Sequence, residues 1–351
     1  MSKSQAAQQT AVVGMSGGVD SSVAAHRVLR TGAKVAGVSL RLLAEGANES
    51  HDAGIVAAAR VASELGIEHH VIDATEPFDS NVLQYVADEY ASGLTPNPCT
   101  RCNNEVKFAL LASFADEIGA ETVVTGHYAR ILTEEENNWI ERASDREKDQ
   151  SYFLYRLGSE VLARLEFPLG ECSKEDVRQE AESIGIHVAR RPESQDVCFA
   201  LDGDIAGFVA GRHPLLTQSG PIVLDGEVVG THEGIGRYTV GQRKGLGIGG
   251  EGPYYVTRID ALDASVHVRR GSDESHSTVR AENVVWRWET DSADCLIQVR
   301  HRMEPVEAHA TVADGIMHVS SEVGISTPAP GQSVVCYIGD RVIGGGEICP
   351  L

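Results

Sequence analysis

The chain has 351 residues, 42% hydrophobic and 23% charged, with a formal net charge of -21 at pH 7. That is length for two or three domains with ample core, in a composition that is globular rather than disordered or fibrous. No apolar run approaches the roughly 18 residues of a membrane span, and the negative total argues against broad, nonspecific nucleic-acid binding while leaving room for a local basic patch.

The opening residues, MSKSQAAQQT, are polar and lack the apolar stretch of a signal peptide, so 1–10 read as a disordered leader and the location as cytoplasmic. TAVVGM then reads as a strand, SSVAAHRVLRTG as a helix stopped by glycine, AKVAGVSL as a strand, and AGIVAAARVASELG as a second helix. HHVIDA is a strand, NVLQYVADEYASG and KFALLASFADEIG are helices, and ETVVTGH is a strand. This alternation predicts βαβ units and a parallel sheet, with ligands at the carboxyl ends of its strands. From about residue 215 the pattern changes to short alternating runs with Gly/Asp turns, such as GPIVLDGEVVGTHEG and GQSVVCYIGDRVIGGGEI, which suggest antiparallel barrels. The expected organisation is a nucleotide-binding α/β domain over 11–205, a small central β domain over 206–275 and a β-barrel over 276–351.

Seven cysteines, an odd number without a secretion signal, point to a reducing compartment rather than a disulfide framework. Cys295 and Cys336 sit in strand-like runs and read as core packing. Cys99 and Cys102 form a Cys-x-x-Cys pair in TPNPCTRCNNEVKF, residues 95–108, but the second pair that a zinc ribbon would need is absent.

VVGMSGGVDSSVAA runs from strand into helix. Gly17 and Gly18 allow a tight turn with exposed backbone N–H groups, Ser16, Ser21 and Ser22 offer hydroxyls, and the helix N-terminus adds its dipole, which together make a phosphate cradle. Asp20 is an acceptor that could help hold Mg²⁺. Gly-Lys-Ser/Thr is missing, so this is not a Walker A loop. The string matches the SGGxDS pyrophosphate loop of enzymes that split ATP between the α and β phosphates and adenylate an acceptor.

The ordered set TPNPCTRCNNEVKF, TGHYAR (125–130), KDQSYFLY (148–155), SQDVCF (194–199) and GQRKGLGIGG (241–250) resembles the bacterial tRNA-specific 2-thiouridylases over nearly the whole chain. The resemblance implies an N-terminal doubly wound parallel sheet followed by two small β-rich domains, the last a barrel. It implies that ATP adenylates the C2 oxygen of the wobble uridine, position 34 of tRNA, and that a persulfide sulfur then displaces AMP. It assigns ATP contacts to Gly14, Met15, Ser16, Gly17, Gly18, Val19, Asp20, Ser21, Leu40 and Gly126. Target-base contacts fall to Asn97, Pro98 and Cys99, and tRNA contacts to His127, Lys148, Asp149, Gln150, Arg300, His301 and Gln332. Cys198 would carry the persulfide, Cys102 would be the second catalytic thiol, and a disulfide between them would be the end state of a turnover. The implied partners are tRNA and a persulfide donor, either a cysteine desulfurase or a sulfur-relay protein, with no membrane. Many family members have Asp at position 99. With cysteine there, Cys99, Cys102 and Cys198 leave three options open: persulfide chemistry, a 4Fe-4S cluster, or zinc with His127 as fourth ligand. Arg243 and Lys244, on a glycine-rich loop, read as a phosphate contact.

An amide-forming ligase with the same loop would need an ammonia source, and no glutaminase-like Cys/His arrangement is visible. A non-enzymatic RNA-binding module would not need an intact pyrophosphate loop. Basic residues do gather near ARRPE, GQRKG and VRHRM. RNA affinity should therefore fall steeply between about 50 and 200 mM salt despite the negative total, and a flat response in a tRNA titration would count against RNA binding.

Overall fold

The computed structural model describes residues 10–135, 137–191, 197–200, 204–249, 253–271 and 275–350. Most of the expected leader lies outside the described residues, and its last member, Thr10, opens the first strand instead. The chain divides into two compact units, Met1–Asp79 with Thr100–Phe199, and Ser80–Cys99 with Ala200–Leu351. Among the described residues no helix is long and apolar enough to cross a membrane.

The first unit is built on a five-stranded sheet. Its strands are β1 Thr10–Gly14, β2 Lys34–Arg41, β3 Glu68–Asp73 and β4 Thr122–Val124. A hairpin follows, β5 Ala129–Glu134 and β6 Asn137–Arg142, and then β7 Leu165–Glu166. The sheet order is β3-β2-β1-β4-β7, and every pairing is parallel. Ala11, Val12 and Val13 of β1 are almost fully buried, as the continuous apolar run of a central parallel strand requires. The order reverses on either side of β1, so the crevice beyond the ends of β1 and β4 is the topological switch point where such sheets bind ligands.

Helix Val19–Arg30 follows β1 directly and packs its Val23, Ala24 and Val28 into the core. Helix Glu49–Leu65 starts at Asn48, whose side chain accepts from His51 N–H, and stops at Gly66 with φ +69°. Helix Lys174–Ile184 opens with a capping box between Ser173 and Asp176, and Arg27 Nε of the first helix reaches its Glu180 carboxylate at 2.9 Å. Helix Phe108–Ile118 sets Leu111 against Gly14, where an added Cβ would sit 3.1 Å from the leucine.

The second unit holds two β structures. Strands β8 Gly220–Leu224, β9 Glu227–His232, β10 Tyr254–Asp260 and β11 Ser265–Arg270 form a sheet in the order β10-β11-β8-β9. The two hairpins are antiparallel as expected, but they join through a parallel β11–β8 pairing. Turn signals such as Asp225-Gly226, both at positive φ, specify each hairpin and say nothing about how two hairpins meet. Strands β12 Ser275–Trp286, β13 Ser292–Gln298, β14 Val306–Ala313, β15 Ile316–Ser326, β16 Ser333–Ile338 and β17 Arg341–Ile348 run antiparallel in the order β12-β15-β14-β13-β16-β17. β17 pairs back onto β12 and closes a barrel, leaving no exposed edge. Cys295 and Cys336 lie in its core with Val319 and Ile343.

In the first unit Gly126 presses on the helix after β1: a Cβ there would come 2.7 Å from both Asp20 C and Ser21 N. Backbone cannot move aside as a flexible side chain would. Gly126→Ala should destabilise the protein by about 1–3 kcal/mol, read as a lowered melting temperature, while Gly158→Ala, with open space around it, should stay within about 0.5 kcal/mol of the parent.

Candidate active site

β1 ends at Gly14 and the chain turns through residues 15–18 into helix Val19–Arg30. Gly17 takes φ +73°, and a Cβ on it would run into the carbonyl oxygen of Gly54 in helix Glu49–Leu65. Gly54 is a glycine inside a helix, costly there by about 1 kcal/mol, and this crossing explains it. Sequence reasoning passed over Gly54, although an interior helical glycine is a legible signal.

The serines divide their work differently from expectation. Ser21 and Ser22 are buried, and their hydroxyls donate to Gly18 O at 3.2 and 2.7 Å. Ser21 Oγ also accepts from Ser16 N–H at 3.2 Å. These two hydroxyls brace the turn rather than standing ready for a ligand, while Ser16 is exposed. Met15 and Val19 are core residues, so a ligand can meet only their backbone. Leu40, near the end of β2, is half-buried.

Asp20 is already engaged. Lys174 Nζ donates to its Oδ1 at 2.6 Å and its Oδ2 at 2.8 Å, and Tyr128 O–H donates to Oδ1 at 3.0 Å. Lys174 is 9% exposed and sits 5.6 Å from the Tyr128 ring centre. The expected Mg²⁺ ligand is thus one end of an ion pair; Lys174 lies outside the quoted motifs, and Tyr128, inside TGHYAR, was given no role. Arg191 also reaches the loop, donating to Gly17 O at 3.0 Å.

Both predicted catalytic thiols fall in the first unit. Cys102 ends the helical turn Pro98–Cys102 and is 7% exposed. Cys198 keeps exposed surface, but lies deep enough among protein atoms that lost solvation pushes its thiol up, with the Lys107 ammonium opposing the shift. Its neighbour Phe199 is buried, edge-on to Phe78 at 5.6 Å, with its carbonyl taking a long 3.4 Å bond from Asn48 Nδ2. None of the seven cysteines is in a disulfide. Among the described residues no three His, Cys, Asp or Glu side chains gather into a metal-holding group.

Lys107 Nζ donates to Asn103 Oδ1 at 2.8 Å and lies 3.5 Å from His127 Nε2, whose Nδ1 pairs with Thr125 Oγ1 at 2.7 Å. Burial, then the Lys107 charge, holds His127 well below its usual pKa, so it is a neutral ring packed on Phe108 and Phe167. A lysine donating to Nε2 leaves the proton on Nδ1. Asp149 and Gln150, predicted tRNA contacts, use their side chains on their own chain. Asp149 accepts from Ala143 N–H, Ser151 N–H and Ser151 O–H, and Gln150 Oε1 accepts from Tyr128 N–H at 2.9 Å. Lys148 is half-buried.

In the second unit the predicted base-contacting segment is held by the barrel. Thr95 N–H donates to Pro330 O at 2.7 Å, and Gln332 Nε2 donates to Thr95 O and Pro96 O at 3.1 and 2.9 Å. Asn97 Nδ2 meets Ser333 Oγ at 3.4 Å. Gln332, expected to touch tRNA, grips the loop through its side-chain amide. Pro98 opens the helical turn and Cys99 is half-buried. Arg300 is exposed, with Nη2 donating to Thr327 O at 3.1 Å, and His301 is half-buried.

Three family models match consecutive stretches of the chain: a tRNA methyl transferase HUP domain over 9–202, a tRNA methyl transferase PRC-barrel domain over 208–270 and an aminomethyltransferase beta-barrel domain over 276–348. Among curated proteins, the tRNA-specific 2-thiouridylase MnmA of Syntrophotalea carbinolica is 42% identical, with 96% of this chain and 97% of that protein covered. That of Synechocystis sp. is 41% identical, covering 97% of each. Likeness to solved structures is weak. A 4-thiouridine synthetase–RNA complex with bound ATP aligns with TM-score 0.36 and 20% identity, over 59% of this chain and 51% of that one. The model descriptions speak of methyl transfer, but the full-length relatives are named for thiolation, and by that identity and extent the chain belongs to the tRNA-specific 2-thiouridylase family.

Proposed function

We propose that this protein is an ATP-dependent tRNA 2-thiouridylase that converts the wobble uridine, position 34, to 2-thiouridine with release of AMP and pyrophosphate. The observation that carries this reading is a braced pyrophosphate loop at the end of β1 in the same unit as Cys102 and Cys198. A uridine C2 oxygen is a poor leaving group. Its attack on the α-phosphate of ATP expels pyrophosphate and turns it into part of AMP, a good one. The terminal sulfur of a Cys198 persulfide then bonds to C2, and AMP departs with the oxygen. Cys102 thiolate attacks Cys198 Sγ, the S–S bond breaks toward the thiocarbonyl, and a Cys102–Cys198 disulfide remains for an external thiol to reduce. Met15–Gly18 backbone and exposed Ser16 serve the phosphates. Asn97, Pro98 and Cys99 meet the base, which is reached by splaying it from its loop.

Asp20 carries Lys174, so Mg²⁺ arrives with the phosphates of ATP rather than waiting on a resident ligand set. The reading runs on thiols supplied by a persulfide donor in the cytoplasm, a cysteine desulfurase or relay protein. The 4Fe-4S alternative on Cys99, Cys102 and Cys198 is decided by an anaerobic absorption spectrum: a colourless protein without iron that still makes 2-thiouridine supports the thiol route, and a shoulder near about 400 nm with iron and labile sulfide supports the cluster.

Cys198→Ser should keep tRNA-dependent pyrophosphate release and leave the uridine adenylated, Cys102→Ser should release AMP once and stop with the tRNA bonded to Cys198, and both should lose free 2-thiouridine, measured by nucleoside analysis of the tRNA. AMP release that ignores tRNA would sink the reading. Cys198 alkylation by iodoacetamide should show a pH midpoint above that of an ordinary cysteine, and Lys107→Ala should move it higher still, because the ammonium that favours thiolate is gone.

A further inference from the structure

The run GQRKGLGIG, residues 241–249, takes no part in the chemistry above. It leaves the sheet at Gly241, whose N–H donates to Val256 O at 2.8 Å. Gly241, Gly245 and Gly247 hold φ of +84°, +76° and +67°, turns that a side chain would resist. Gln242 braces the run from within: its Oε1 accepts from Thr239 N–H at 2.9 Å and its Nε2 donates to Lys244 O at 3.0 Å. Leu246 anchors it in the core of the central sheet. Between this run and the start of β10 lies a cavity of about 540 Å³, walled by Arg243, Gly245, Gly247, Ile248 and Tyr254.

Arg243 is the cation in its wall, and Lys244, Arg270 and Arg300 lie close to residues of the run or of the wall. Arg243 and Lys244 are exposed, and among the described residues neither enters an ion pair. Arg270 donates to Tyr254 O–H at 3.2 Å and lies 5.7 Å from the ring centre. Arg300 of the barrel stands beside the root of the run, 3.4 Å from where a Cβ on Gly241 would be. In a chain of net charge -21, such a grouping marks a place for an anion. A bare phosphate would leave most of the space empty, whereas ligand cavities of roughly 300–1,000 Å³ hold molecules of nucleotide size.

We propose that this cavity of the second unit is an RNA-docking site that takes one backbone phosphate of the tRNA with its nucleotide, Arg243, Lys244 and the glycine-run amides meeting the phosphate oxygens. Contacts of that kind position an RNA without reading its sequence. The proposal rests on the tRNA thiolation reading.

The test titrates full-length tRNA against the whole protein and the double variant R243A/K244A over a salt series. Both side chains are exposed, and an unchanged melting temperature confirms the fold. The expected result is roughly tenfold weaker binding by the variant, a salt slope reduced by about one to two, and a raised KM for tRNA with kcat unchanged. Equal affinity and slope in the two proteins would overturn the docking site alone. Failure of the parent protein to bind tRNA would overturn the thiolation reading instead. Variant-sensitive binding of a nucleoside monophosphate with unchanged tRNA affinity would also overturn the proposal, because the cavity would then serve a free nucleotide.

Discussion

Two backbones cross where no side chain can stand, at Gly17 and Gly54. The nucleotide loop depends on that crossing. Gly17 must take a positive φ to turn the chain from β1 into its helix, and helix Glu49–Leu65 must come close enough to support the turn from behind. The same helix begins at Asn48, which caps it and also holds Phe199 O. One helix therefore supports the Gly17 turn and, at its other contact, Phe199, the residue next to Cys198. A shift of that helix would disturb the turn after β1 and the surroundings of Cys198 together.

Charge poses a second demand. A bare carboxylate at position 20 would repel a triphosphate at the loop beside it, and Coulomb repulsion grows as water is excluded. Lys174 meets Asp20 with two short bonds and Tyr128 adds a third. The carboxylate then ties the start of the helix to Lys174 without standing as an unpaired negative charge beside the loop. Buried polar groups are stable only when paired in this way.

The alternating strands and helices of the first 130 residues and the Ser-Gly-Gly run were legible because both follow local rules, hydrophobic periodicity and turn chemistry. Cys295 and Cys336 were legible as core for the same reason. The roles of Lys174 and Tyr128 were not, because their shared partner Asp20 lies 154 and 108 residues away in the chain; Lys107 lay inside a quoted motif but was given no role. The β5–β6 hairpin and the parallel β8–β11 pairing were missed, since hairpin signals do not say which edges join. Gly126 was singled out for close approach, and its backbone packs on that of Asp20 and Ser21. Gln332, Asp149 and Gln150 were assigned outward contacts, and the structure gives their amides and carboxylate inward work.

The grip of Gln332 on Thr95 and Pro96 spans 237 and 236 residues of chain. A ribosome delivers those residues in order, at about 5–20 per second, so Thr95 and Pro96 wait roughly 10–50 s for the glutamine that seats them. Every strand of the nucleotide-binding sheet, by contrast, has emerged by Glu166. A chain cut short by a stalled ribosome or a premature stop would have every strand of the parallel sheet and no Gln332 to hold Thr95 and Pro96. The seating of that loop is therefore reached only once the chain extends through Gln332, well after the parallel sheet is complete.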